Sequence, residues 1–528
     1  MKKNYIILSY CLILTFCISC SDFLEEQALD TYTTDNFPQS ESDAEALVNE
    51  IYNRTGTLFS DEFLWLAELP AETTTTRRQG SDPRAQLDEY NVLDNNDHTS
   101  EFWEDSWIII KQANAVIDFY QGQEANIDPE LAERLVAEAR ALRATSYFYL
   151  AIFFGDVPLI LNRINTLEAT ENPIAPLSSI YESVISDLEA AEPFLPHSYD
   201  SQDDQGRVTR GAVRALLGKV YLQRAADPAG VGSANDNQLA LDWMRKVRDR
   251  ADGGFAYELE PEYINLFGLD NVESAKRSNE IVYQFWRNRA EGFATDIHAH
   301  LVPRDATHIG TGRWGNFAAE VPFYLSFEST DERFHVTFMD TIYTESDTLY
   351  YDVNNPGTDG FSHDGAPYTK NVDENSTNRQ GGTNVFLIRY ADVLLTIAEA
   401  LNEINDGPTA EAYDMINQVR ARARTTPGTL PDLSGLTYDE FREALFNELR
   451  WELSFEGHGL RDGHRFFNLF KQRVEEHPSY VQPGPVGDED AGRQGDAVPD
   501  VPIDVTIDKL RFPIPLVEKR TNPSISDE

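Results

Sequence analysis

The chain has 528 residues, of which 41% are hydrophobic and 25% charged, a globular composition that excludes a disordered, collagen-like or multispan membrane protein. Its 44 Lys and Arg stand against 89 Asp and Glu, and the net charge of −45 leaves no basic face for the phosphate contacts of a nucleic-acid binder. Polyanions are repelled overall, and charge alone names no partner.

At the amino end Lys2 and Lys3 precede an apolar run from Tyr5 to Ser19. The run is too short to span a bilayer as a helix and has the length of a signal-peptide core, so residues 1–19 read as a signal peptide. Cys11 and Cys17 lie inside it, and a mature chain beginning at Cys20 has no second cysteine for an internal disulfide. Ile18-Ser19-Cys20 resembles a bacterial lipobox, which makes Cys20 the lipidated first residue of the mature protein. Residues 20–45 are then a lipidated amino terminus and tether, with Asp22, Glu25 and Glu26 resembling the acidic export signals of some surface lipoproteins.

Amphipathic helices follow. Over residues 130–154, Leu135, Ala139, Leu142, Ser146, Leu150 and Phe153 recur at three- and four-residue spacing, and Pro158 closes the element. Ser179 with Glu182 reads as a capping box opening a helix whose stripe is Ile180, Val184, Leu188 and Ala191. Thr209 caps the next, with Val213, Leu216, Leu217 and Val220 inward. Residues 389–403 and 410–423 form a later pair, and Thr437 with Glu440 caps a last long helix carrying Phe441, Leu445, Leu449 and Leu453. Paired amphipathic helices with small Ala positions look like tetratricopeptide hairpins, although no clean repeat of about 34 residues is present. The fold class is therefore mainly α, a tetratricopeptide-like hairpin scaffold. Within it, residues 46–254 form an amino-terminal helical region and 383–528 a carboxy-terminal one. Between them, residues 255–382 lose helical period, alternate aromatics with polar residues and are broken by Gly, Pro, Asn and Asp, as in a loop-rich insert. A second irregular stretch, residues 478–508, is acidic and rich in Gly and Pro, and reads as a mobile loop.

Residues 138–159 read EARALRATSYFYLAIFFGDVPL. With FWEDSWIIIKQANAVID from Phe102, GRVTRGAVRALLGKVYL from Gly206, IRYADVLLTIAEALN from Ile388, INQVRARA from Ile416, NELRWELSFEGH from Asn447 and FPIPLVEKRTNP from Phe512, they resemble the SusD/RagB family of nutrient-binding outer-membrane lipoproteins. The resemblance spans nearly the whole mature chain. It departs at EGHGLRDGHRFF from Glu456, where the family usually has an arginine and an aromatic before its Asp-Leu-x-Arg. It implies a SusD-like fold of tetratricopeptide-like hairpins supporting a variable ligand face. It further implies an oligosaccharide or polysaccharide ligand, a SusC-like TonB-dependent transporter as partner, membrane attachment through lipid at the cell surface, and no cofactor.

Several residue constellations stand beside that resemblance. Glu448, Glu452 and Glu456 share one helix face at i, i+4 and i+8; a carboxylate pair could serve a glycoside hydrolase, but Arg450, Arg461 and Arg465 are near enough to answer them structurally. His298 and His300, with Asp296 and Asp305, would point to one side of an extended strand, yet no third metal ligand is evident. The turns at 200–206 and 352–357 lack a calcium-loop pattern, Gly218-Lys219 fails as a phosphate loop, and G-x-S-x-G and H-E-x-x-H do not occur. Sugar recognition needs flat aromatic faces beside planar polar groups, and the insert supplies both. Trp286 and Trp314 are expected as stacking platforms, with Arg287 and Arg313 beside them and Tyr324, Tyr343, Tyr350, Tyr351 and Tyr368 nearby. Glu72, Arg77, Arg78, Asn96 and His98 precede the Phe102 motif in a region that the resemblance assigns to the ligand face, and Trp65 is the next aromatic candidate. The resulting expectation is a non-catalytic surface lipoprotein that captures a glycan, with a neutral one favoured. The rival classes are a hydrolase, which would act on polysaccharide, and a peptide-binding helical-repeat scaffold, which requires an exposed apolar groove.

Overall fold

The computed structural model describes residues 40–76, 81–121, 127–164, 172–201, 204–290, 292–352, 365–424, 426, 428–476 and 505–525. The signal peptide, Cys20, Arg77, Arg78 and nearly all of the 478–508 loop lie outside them. Eleven helices of eight residues or more occur among the described residues: α1 (Glu41–Leu58), α2 (Asp61–Glu68), α3 (Asp97–Gln121), α4 (Pro129–Phe154), α5 (Leu177–Ala191), α6 (Arg210–Ala225), α7 (Asp236–Arg248), α8 (Tyr390–Asn405), α9 (Ala410–Arg422), α10 (Tyr438–Leu453) and α11 (Phe467–Glu476). Neighbours in sequence pack as hairpins, α3 on α4, α6 on α7 and α8 on α9, and the series continues through α4 on α5 and α7 on α8. The result is the mainly helical, tetratricopeptide-like scaffold expected.

Local chemistry explains the helix ends. The Thr209 hydroxyl accepts from the Ala212 amide, and Thr437 with Glu440 forms a reciprocal capping box. Ser179 does not cap: α5 begins at Leu177 behind Pro176, whose fixed φ prepares the turn, so Ser179 lies inside the helix. In α4 nearly every residue from Leu135 to Phe154 is buried, because α1, α3 and α5 all pack against it. Gly155, at φ +76°, ends that helix where a Cβ would come within 3.0 Å of the Arg511 side chain.

The insert has no helix of eight residues among its described part, and two antiparallel pairs stitch it to the scaffold. β1 (Thr74–Thr76) pairs with β5 (Phe317–Ala319), and β4 (Ile281–Gln284) pairs with β8 (Phe386–Arg389). A two-residue pair, β2 (Val157–Pro158) with β3 (Ile174–Ala175), lies outside the insert, and a hairpin, β6 (Thr341–Tyr343) with β7 (Thr348–Tyr350), lies within it. Phe317, Phe323, Phe338, Ile342 and Tyr368 join the same apolar core as α1–α10, so the insert shares the scaffold's interior.

A buried ion-pair network binds insert to scaffold. Glu448 and Glu452 are reached by Arg333 from the insert at 2.6 and 3.2 Å, Glu452 by Arg389 at 2.9 Å, Glu448 by Arg420 at 2.9 Å, and Glu456 by Lys370 at 2.6 Å. Arg422 adds to Glu452 and, at 3.1 Å, to Glu280. Burial pushes the Glu452 carboxyl up, but Arg422, Arg389 and Arg333 outweigh it and hold it well below the usual carboxylate range. The cations expected to answer these acids are engaged elsewhere: Arg450 with Glu72, Arg461 with Asp462, and Arg465 with Glu399. Glu456 does not share their helix face, because α10 ends at Leu453 and the backbone turns at Ser454 and Phe455, but all three glutamates are at most 1% exposed, so no substrate reaches them as a hydrolase pair.

Candidate functional site

The two expected tryptophans fall in different places. Trp286 follows β4 and is half-buried, lining a cavity of about 210 Å³ whose walls include His197, Tyr199, Asp204, Phe255, Arg277 and Asn279. Two cations approach its ring, Lys276 Nζ at 5.5 Å and the Arg277 guanidinium at 5.8 Å from the centroid. Lys276 is consumed by Glu273 and the Arg287 carbonyl, at 2.9 Å each, whereas Arg277 is exposed. Gly206, at φ +94°, lets the amino-terminal wall close on this indole, since a Cβ there would lie 3.0 Å from the Trp286 Cβ.

Trp314 sits in the loop between the short helix Ile297–Leu301 and β5, its amide donating to the Ala299 carbonyl at 2.6 Å. It is half-buried; the Arg379 guanidinium lies 4.6 Å over its ring and His300 meets it edge-on at 4.6 Å. Arg379 in turn faces Asp296 at 3.6 Å. Arg313 does not present its guanidinium outward: it donates to the Arg304, Ile309 and Gly310 carbonyls, stapling its own loop.

Other expected site residues turn out to be framework. Trp65 is 2% exposed, stacked on Phe317 at 4.2 Å and against His300 at 4.4 Å, and offers no face to a ligand. Arg287 is buried and donates to the Ala294 carbonyl at 2.7 Å, tying the strand exit to the next turn. Asn96 is 1% exposed, and its Oδ1 accepts from the His98 and Thr99 amides as a cap for α3. Glu72 is tied by Arg450 at 2.6 Å, and Tyr324 packs against Phe334, Phe338 and Tyr351. His298 and His300 lie on a helix, not a strand, and both are buried; burial pulls the His298 imidazole down to about 4, so it stays neutral.

His98 remains near the surface, with Nδ1 2.7 Å from Glu62 Oε2. Glu101 stands close by, and burial followed by the Glu62 charge pushes its carboxyl up to about 7. Glu62, His98 and Glu101 bring their ligand atoms within 4.8 Å of one another, a donor set that would suit a divalent cation; their mutual contacts also account for the cluster without one. The sequence reading missed Arg277, Arg379 and the wall residues His197, Tyr199 and Asp204. They come from segments distant in the chain, and the one local sign was Gly206 at the head of its motif.

Comparison with known proteins bears directly on this arrangement. Residues 269–527 match a model described as the SusD family, and residues 22–222 match one described as starch-binding associating with outer membrane. SusD-like protein P2 of Formosa agariphila is 28% identical over 485 residues, covering 86% of this chain and 89% of that one. A SusD homolog from Bacteroides thetaiotaomicron superposes with a TM-score of 0.74 at 22% identity, over 93% of this chain and 97% of that one. A laminarin binding SusD-like protein superposes with a TM-score of 0.69 at 21% identity, over 92% and 98%. With two family models dividing the chain in order and the helical scaffold matching throughout, the chain belongs to the SusD/RagB family.

Proposed function

We propose that this chain is a non-catalytic surface lipoprotein that captures an oligosaccharide or polysaccharide and hands it to a SusC-like TonB-dependent outer-membrane transporter. The observation that carries this reading is Trp286, a half-buried indole lining a cavity of about 210 Å³ with mixed apolar and polar walls and the Arg277 guanidinium at its side. An indole face takes the apolar side of a pyranose, while Arg277, Asn279 and Asp204 address hydroxyls. Trp314 supplies a second aromatic surface. The laminarin-binding relative, and another of the same fold solved with xylogluco-oligosaccharide at a TM-score of 0.71, support a glycan as the ligand class. The outer-membrane description of the amino-terminal family model supports the location, and Cys20 would supply the lipid.

Calorimetric titration tests the reading. Trp286→Ala and Trp314→Ala should each weaken the glycan that wild type binds by on the order of 1 to 3 kcal/mol, with the fold intact. Unchanged affinity in both refutes the assigned surface. Cys20→Ala should abolish labelling by a fatty-acid analogue, and gentle solubilisation should recover the protein with a transporter.

A further inference from the structure

The β6–β7 hairpin carries two of the most exposed large hydrophobic side chains among the described residues, Tyr343 at 51% and Tyr350 at 64%. Register puts both on one face: Thr341 pairs with Tyr350 and Tyr343 with Thr348, so these four side chains point the same way. Tyr343 and Tyr350 are diagonal neighbours, a relation that sets side chains about 7 to 8 Å apart. The opposite face carries Ile342, fully buried, and Leu349, packed on the core. The hairpin is thus seated by its apolar face, and the tyrosine rings lie outside the core.

The hairpin is also locked to the loop that bears Trp314. The Thr307 amide and hydroxyl donate to the Tyr343 carbonyl at 3.0 and 3.1 Å, His308 Nδ1 lies 3.2 Å from that carbonyl, and the His308 ring meets Tyr343 edge-on at 4.9 Å. The same loop is stapled from within by Arg313, through its bonds to Arg304, Ile309 and Gly310. The hairpin's turn, next to Tyr343, is closed by the Thr344 hydroxyl, which accepts from the Ser346 and Asp347 amides. Trp314, His308, Tyr343 and Tyr350 therefore stand on one continuous, internally bonded strut.

We infer that Tyr343 and Tyr350 form an outlying aromatic platform, carried on the same bonded strut as Trp314, that engages the remote units of a glycan chain and so selects long oligosaccharides over short ones. The occupant is a carbohydrate chain because the two rings alternate with the hydroxyls of Thr341 and Thr348, apolar faces beside hydrogen-bonding groups, as a sugar's own surface demands. A protein partner would ask for a broader dry apolar patch, and Thr341 and Thr348 interrupt this one. The inference rests on the glycan-capture reading and adds chain length to it.

The test is a length series, from disaccharide to octasaccharide, of laminarin-, xyloglucan- and starch-derived oligosaccharides. Wild type, Trp314→Ala, the pair Tyr343→Ala with Tyr350→Ala, and the pair Tyr343→Phe with Tyr350→Phe are compared. The double alanine variant should bind octasaccharide about tenfold more weakly and the shortest bound member unchanged, with phenylalanine restoring affinity. Trp314→Ala should weaken every length. Equal octasaccharide affinity in wild type and the double alanine variant overturns the platform while leaving capture standing. Loss of transporter copurification with glycan affinity intact also overturns it, in favour of a protein-docking face. Binding of none of the series by wild type overturns both readings. Because the rings are exposed, thermal unfolding should be unchanged in the variants.

Discussion

The helical scaffold and the insert are held together by different means. Helix α4 buries nearly everything from Leu135 onward among neighbouring helices, with Ala137, Ala139, Ala141 and Ala144 allowing close approach. Such burial is worth roughly 25 cal/mol per Å² of apolar surface and is spread along the whole element. The insert joins that core with a few aromatics, but its position depends on Arg333 meeting Glu448 and Glu452 of α10, Lys370 meeting Glu456 just beyond that helix, and Glu280 meeting Arg389 and Arg422. Tyr263 and Phe267 close over the charges, with Arg422 4.8 Å from the Tyr263 centroid and Lys370 4.5 Å from that of Phe267. Apolar stripes tolerate piecemeal damage, whereas a buried charge network fails when one member leaves its partners uncompensated.

Arg389→Met is the sharpest way to break this contrast. It strands Glu452, Glu456 and Glu280 without their shared cation and should cost about 3 to 5 kcal/mol in denaturant unfolding. Hydrogen exchange should rise first in β4 and around Lys370 while α4 stays protected; a uniform rise would show that insert and scaffold are one cooperative unit. Leu142→Ala, at a fully buried position of α4, should cost about 3 kcal/mol and loosen the scaffold as a whole.

The next test uses pH and sets two buried carboxyls against each other. Glu452 is held low by its arginines, so its contribution is present above the unfolded carboxylate range and lost as pH falls. Glu68 is the reverse. Burial pushes its carboxyl up from 4.5 to about 7, so it binds its proton more tightly when folded; its stabilisation is full below 4.5 and lost as pH rises through 7. Glu68→Gln should flatten the fall in melting temperature between those values, an effect on the order of 3 kcal/mol. An unaltered pH profile would refute the assignment. The smallest effect belongs to Thr437→Ala, which removes one cap of α10 and should cost about 1 kcal/mol by thermal unfolding.

Legibility followed the same divide. Where a helix packs on helices, its contacts repeat every three or four residues, and the stripes of α4, α5, α6 and α10 were readable position by position. Ser179 misled because its spacing to Glu182 imitates a capping box, while Pro176 had already set the start of α5. Trp65 and Arg287 were read as ligand contacts because an aromatic or arginine in an aperiodic stretch looks the same whether it faces water or Phe317 and the Ala294 carbonyl. The Glu448, Glu452 and Glu456 cluster was legible as structural, but the end of the helix at Leu453, which leaves Glu456 off its face, was not. The cluster's partners were not either, because Arg333 and Arg389 are more than fifty residues away and no local spacing marks them.

Composition, apolar period and ordered motifs by themselves determined the mainly helical class, the hairpin scaffold and the family, because these depend on short-range spacing and on segments that keep their order along the chain. Only the tertiary structure decided which tryptophan lines a cavity, which arginine answers which glutamate and which tyrosines stay in water. Exposure and charge pairing are set by segments that meet through β1–β5, β4–β8 and the closing loops, and burial is a property of what arrives from elsewhere in the chain.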